Sequence, residues 1–212
     1  MSNYDCTKNK FILGDCMDPE YGLPSYPDKF FDLAIVDPPY GIGRDGGSTG
    51  KYWKWYEPKQ WDHAPTNKNY FFELFRVSKN QIVWGANYFT DFLPPSMGWI
   101  FWDKGQDLTM SDGELAFSSY EKALRRARLN RCYIGESGGN IHPTQKPVRL
   151  YRWLLENYAQ PGDLILDTHV GSASSLIACE SMDFNYHGFE IDPDYYAAAK
   201  KRMSAGIQKV MF

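Results

Sequence analysis

The chain has 212 residues and a formal net charge of −3. That length fits one domain with a sizeable core, and the charge excludes a uniformly basic nucleic-acid binder. No apolar run reaches the roughly 20 residues that a bilayer span needs. Cys6, Cys16, Cys132 and Cys179 form no C-x-x-C pair, and the histidines supply no ligand spacing, so neither a zinc site nor a disulfide framework is expected. The expectation is a cytoplasmic protein with reduced thiols, no membrane contact and no metal.

In chain order, KFILGD (10–15) predicts a short buried strand that ends at an acid, and FFDLAIVD (30–37) predicts another. NKNYFFELFRVSK (67–79) has apolar residues at helical spacing, QIVWGAN (81–87) reads as a strand, and GWIFWDKG (98–105) is a further apolar run. From about 94 to 139 the text is irregular, with polar and basic residues between strand-like pieces. Helical period returns in KPVRLYRWLLENYA (146–159), where Leu150, Leu154, Leu155 and Tyr158 share a face. Residues 160–182 read as turn, strand, small-residue loop and helix. NYHGFEID (185–192) is a strand ending in Glu190. The helix of 193–206 starts with Asp192 as N-cap and Pro193 in its first turn, and Gly206 sits at its end.

Apolar strands alternating with helices predict an α/β fold: a doubly wound, mainly parallel sheet with a small irregular insert. Ligands of such sheets bind beyond the carboxyl ends of the strands. Asp15, Asp37, Asp167 and Glu190 all fall there. In DTHVGSASS (167–175), Gly171, Ser172 and Ala173 keep a strand-to-helix loop thin, so backbone can approach a ligand. Glu190 follows about 20 residues on, the separation at which an acid meets ribose hydroxyls. No phosphate-binding G-x-x-x-x-G-K-[ST] motif occurs, so the expected ligand carries a ribose and no phosphates.

Asp37-Pro38-Pro39-Tyr40 closes the second strand. The prolines stiffen the turn and fix its carbonyls as acceptors, Asp37 adds a carboxylate, and Tyr40 adds a flat face. That set suits a planar ring bearing an amino group. Accepting both N–H hydrogens of such an amine localises its lone pair for attack on a methyl group. Between Lys122 and Arg152 there are eight Lys and Arg residues, a basic strip able to meet phosphates.

DPPYGIG, HPTQKP, DTHVGSASS and GFEID resemble the blocks of the S-adenosylmethionine-dependent DNA amino-methyltransferases. The catalytic block precedes the cofactor loop, which resembles the permuted beta group, and the likeness runs from about Phe11 to Arg202. It implies a Rossmann-like methyltransferase domain over 1–212, with a variable target-recognition insert at 95–139. It implies S-adenosylmethionine as cofactor and double-stranded DNA as partner; a homodimer is compatible. D-P-P-Y favours adenine N6 over cytosine N4. By position, Asp37 and the Pro38 carbonyl would accept from the target amine beside Pro39, and Tyr40 would stack on the flipped base. Asp167, Thr168, His169, Gly171, Ser172 and Ala173 would lie along the methionine part, with Asp37 bordering the cofactor. Glu190 and Ile191 would meet the ribose side, and Asp15 the adenine. His142, Thr144 and Lys146 would close over the methionine end. Arg44, Arg125, Arg126, Arg128 and Arg131 are the candidates for DNA contacts.

Two departures stand out: Thr168-His169 replaces the usual Pro-Phe, and Ala173 replaces a glycine. If position 173 needs φ > 0, alanine costs free energy there. Cytosine N4 methylation, an RNA substrate and a non-catalytic DNA-binding subunit are the alternatives. A restriction system, a phage genome or an orphan mark fits equally well.

Overall fold

The computed structural model describes residues 9–43, 59, 62–63, 66–105, 111–130, 132–133 and 139–205. Arg44, Arg131 and Gly206 lie outside them. The strands are β1 (Lys10–Leu13), β2 (Phe31–Val36), β3 (Ser78–Trp84), β4 (Ile100–Asp103), β5 (Gly113–Ser118), β6 (Arg125–Arg128), β7 (Leu164–Asp167) and β8 (Asn185–Glu190). The helices are α1 (Lys68–Val77), α2 (Val148–Tyr158), α3 (Ser174–Ser181) and α4 (Pro193–Ser204). None of the described helices is long and apolar enough to cross a membrane.

One eight-stranded sheet has the order β1-β8-β7-β2-β3-β5-β4-β6. β5 pairs antiparallel with both β3 and β4, and every other pairing is parallel. The alternation of β2 explains the two-faced core. Leu33 and Ile35 join the cluster that contains Leu150 and Leu154 of α2 and Ile177 of α3. Ala34 and Val36 join the opposite cluster with Tyr70, Phe71 and Leu74 of α1. The sheet is therefore wound on both faces, as its sequence pattern predicts.

Helix starts follow local chemistry. Asn67 caps α1 by accepting from the Tyr70 N–H at 3.2 Å, and Asp192 caps α4 by accepting from Asp194 and Tyr195 N–H. The stretch read as irregular, about 94–139, supplies β4, β5 and β6, which prolong the sheet beyond β3. β6 is hard to read in sequence because Ala127 is its one buried residue among three exposed arginines.

The sheet reverses its winding between β7 and β2. From β7 the chain returns through α3 to β8 on one side; from β2 it returns through α1 to β3 on the other. The connections diverge there, leaving a crevice at the carboxyl ends of the strands.

Candidate active site at the switch point

Asp15, Asp37, Pro39, His142, Thr144, Lys146, Thr168, His169, Gly171, Ser172, Glu190 and Ile191 line one crevice at this point. Asp167, Ala173, Pro38 and Tyr40 lie outside its wall. Arg125, Arg126 and Arg128 are exposed on the sheet's far edge strand.

On the β7–β8 side, acids are held by backbone and hydroxyl donors. Glu190 accepts from Gly171 N–H at 2.6 Å and from Asp192 N–H at 2.9 Å. Burial raises its pKa despite these donors. Asp167 accepts from the Ser175 hydroxyl, and from His169 N–H at 3.0 Å. Burial pushes its pKa up to about 7. It thus fastens the loop from behind. The loop needs two left-handed residues, Gly171 (φ 53) and Ala173 (φ 60), so the condition attached to the alanine is met. Arg202 of α4 braces it, donating to the Ser172 carbonyl at 2.5 Å and the Ser174 hydroxyl at 3.0 Å.

The Thr168-His169 departure has a local partner. The Tyr70 hydroxyl of α1 bonds Thr168 Oγ1 at 2.7 Å, and Thr168 Oγ1 lies 2.9 Å from His169 Nδ1. The His169 ring meets Tyr70 edge to face. Burial lowers the His169 pKa to about 4, so the ring is neutral and packs as an aromatic. His142 packs edge-on against Tyr195 at 4.3 Å, and burial lowers its pKa to about 3. The Thr144 hydroxyl lies 3.1 Å from its Nδ1.

On the β2–β3 side, charge does this work. The Lys146 ammonium is on Asp37 Oδ2, while the Tyr40 hydroxyl donates to Oδ1 at 2.5 Å. Lys146 also lies 3.2 Å from Glu114 Oε2, and Lys104 lies 2.8 Å from Glu114 Oε1. Both lysines are buried. The resemblance put Lys146 near the methionine carboxylate; its ammonium sits between two carboxylates. Tyr40 rests on Gly85, where any Cβ would overlap its ring, and Gly85 adopts φ 65. One face of Tyr40 is stacked on Tyr88 at 5.0 Å and 14°.

Sequence reasoning missed Glu114, Lys104, Tyr88 and Arg202. Glu114 carries no motif. It reaches the crevice edge because β5 runs backwards, so the start of β5 lies beside the ends of β3 and β4. A lone acid followed by an apolar run in GELAFS is the only signal it leaves.

The lining suits a nucleoside without phosphates. The carboxylates of Asp15 and Glu190 accept from amines and hydroxyls, exposed Ile191 offers an apolar face, and the lysine on the wall, Lys146, is already held by two acids.

Residues 83–201 match the family model described as DNA methylase, N6_N4_Mtase; the Asp37–Tyr40 turn precedes that stretch. The chain is 25% identical to the type II methyltransferase M.HpaI of Haemophilus parainfluenzae over 90% of its own length and 73% of that protein. Its fold resembles that of the M1.HpyAVI–SAM complex, with TM-score 0.61 and 19% identity over 92% of this chain and all of that one. The cytosine-N4-specific PvuII DNA methyltransferase gives TM-score 0.57 at 17% identity, covering 92% of this chain and 86% of that one. The family match takes in more than half of the sequence, and the chain belongs to the N6/N4 DNA methylases.

Proposed function

We propose that the protein transfers a methyl group from S-adenosylmethionine to the exocyclic N6 amine of adenine in duplex DNA. The observation that carries this reading is the Asp37 carboxylate on the wall of a nucleoside-type crevice, held by a donor on each oxygen. S-adenosylmethionine supplies an electrophilic methyl on a sulfonium sulfur, which keeps the electron pair of the bond that breaks.

The chain's residues prepare the amine. A carboxylate oxygen has two lone-pair sites, so Asp37 can hold Tyr40 and Lys146 and still accept an N–H from the base. The Pro38 carbonyl is the second acceptor, set by its rigid turn. Two fixed acceptors localise the lone pair on nitrogen and aim it at the methyl group. The lone pair becomes the new C–N bond, and Asp37 takes the proton that nitrogen sheds. Glu190 and Asp15 anchor the ribose and adenine of the donor, while the loop at 168–173, with His142 and Thr144, borders its methionine end. Reaching an adenine in a duplex requires flipping it, at roughly a few kcal/mol; Tyr40 supplies the aromatic face.

Target contacts are assigned to the 95–139 segment. Arg125, Arg126 and Arg128 are exposed there on an edge strand. Replacing all three with Ala is expected to flatten the salt dependence of DNA binding by about two to three phosphate contacts; an unchanged slope would leave them as ordinary surface charge.

Methyl transfer from labelled S-adenosylmethionine to unmethylated duplex DNA, followed by nucleoside analysis, tests the reading. The expected product is N6-methyladenine. N4-methylcytosine alone would reassign the base, and cofactor binding without transfer to DNA would point to RNA or to a binding subunit.

A further inference from the structure

We infer that Glu114, on the reversed strand β5, is a positioning residue of methyl transfer: it holds the Lys146 ammonium where Lys146 can orient the Asp37 carboxylate. This rests on the proposed role of Asp37 as the amine acceptor. The geometry is a chain of alternating charge, Asp37–Lys146–Glu114–Lys104, with Lys146 Nζ at 3.2 Å from Glu114 and Lys104 Nζ at 2.8 Å. Two carboxylates and two lysines make the cluster neutral. No surface need explains it, since both lysines are buried, and a buried charge is costly unless paired on all sides.

The arrangement does what a single Asp37–Lys146 pair cannot. A lysine with one carboxylate partner collapses fully onto it and competes with any other donor. Shared between two carboxylates, Lys146 keeps Asp37 oriented yet can lean toward Glu114 when the target amine donates to Asp37. Tyr40 restrains the other oxygen of Asp37 at 2.5 Å. The groups facing Lys146 are Asp37 and Tyr40 from the turn after β2, the Trp84 ring at the end of β3, Glu114 from β5 and the neutral His142 of its own segment. Burial lowers the lysine's pKa, but Asp37 and Glu114 outweigh it and the net shift is upward. Removing Glu114 takes away one of those two anions and leaves the Lys104 cation nearby, so the ammonium should lose its proton at lower pH.

The test is Glu114→Gln, read in two ways on the full chain. The first is kcat for methylation of duplex DNA against pH. The second is the titration of the Lys146 ¹³Cε resonance, which needs no DNA. Expected are a fall in kcat of about tenfold, an alkaline limb moved down by about one pH unit, the same downward move in the Lys146 titration, and a KM for S-adenosylmethionine within about twofold. Glu114→Asp, which keeps the charge, is expected to restore the limb; if the glutamine variant does not fold, Glu114→Met, which removes the charge with an apolar chain of similar size, is the second readout, with the same downward move of the Lys146 titration expected and an unmoved one overturning the role. An unmoved Lys146 titration in Glu114→Gln overturns it, even with activity lost, because that pattern is structural damage alone. Absence of transfer by the wild type would strike the proposed function instead, and the resonance would still report on Glu114.

Discussion

The two sides of the switch point keep their acids by different means. On the β7–β8 side, Glu190 and Asp167 are met by backbone N–H groups and a serine hydroxyl, and burial raises both pKa values. On the β2–β5 side, Asp37 and Glu114 are met by lysines, and Lys146 and Lys104 pull the Glu114 pKa down against burial. Neutral donors fix the position of an acid without committing its charge, which suits a site that hydrogen-bonds a nucleoside. Lysines favour the charged carboxylate, as at Glu114, which suits a site whose acids accept hydrogen bonds from an amine. On the proposed function, the β7–β8 side of the edge is the binding half and the β2–β5 side the chemical half, and they meet between the neighbouring strands β7 and β2.

Three substitutions sharpen that division. Glu190→Gln leaves one acceptor where two N–H groups converge, so one amide faces an NH₂. S-adenosylmethionine affinity should weaken about tenfold by calorimetry, with kcat at saturation little changed; a fall in kcat at unchanged affinity would break the division.

Asp167 gives a smaller, pH-dependent effect on stability. Its folded pKa of about 7 lies above the ordinary 3.8. Between about pH 4 and 7 the unfolded carboxyl has ionised while the folded one keeps its proton, so the unfolded state binds fewer protons and stability falls as pH rises. Above pH 7 both are ionised and the penalty is constant. Chemical denaturation of wild type and Asp167→Asn should therefore diverge in favour of the variant from pH 4 to pH 7. Parallel curves would mean that the carboxyl is ionised in the folded state throughout.

The smallest effect is at Ala173. Its left-handed φ of 60 costs about 1–2 kcal/mol, and its buried methyl in the core returns about 0.8 kcal/mol. Ala173→Gly should raise stability by no more than about 1 kcal/mol in a denaturant titration; a loss of that size would show that packing outweighs the backbone.

Much of this was legible in the chain. Strands that stop at acids gave the carboxyl edge, and the Pro-Pro turn and thin loop gave the crevice walls, because these features are local. What was hidden depends on topology. Glu114 reaches the edge only because β5 runs backwards, and no spacing along the sequence encodes that. Arg202 of α4 braces the Ser172 carbonyl, a contact between residues 30 positions apart. The Thr168-His169 departure has its hydrogen-bond partner in Tyr70, 98 positions away in the chain. The edge strand β6 was invisible because one face of RRAR is solvent.

The most direct test of the division is Asp37→Ala, with single-turnover methylation of duplex DNA and S-adenosylmethionine calorimetry on the same preparation. Methyl transfer is expected to fall about a thousandfold, with cofactor affinity within about threefold of wild type. Near-normal transfer would contradict the assignment of Asp37 as the amine acceptor, and a parallel collapse of affinity would contradict the separation of the two halves.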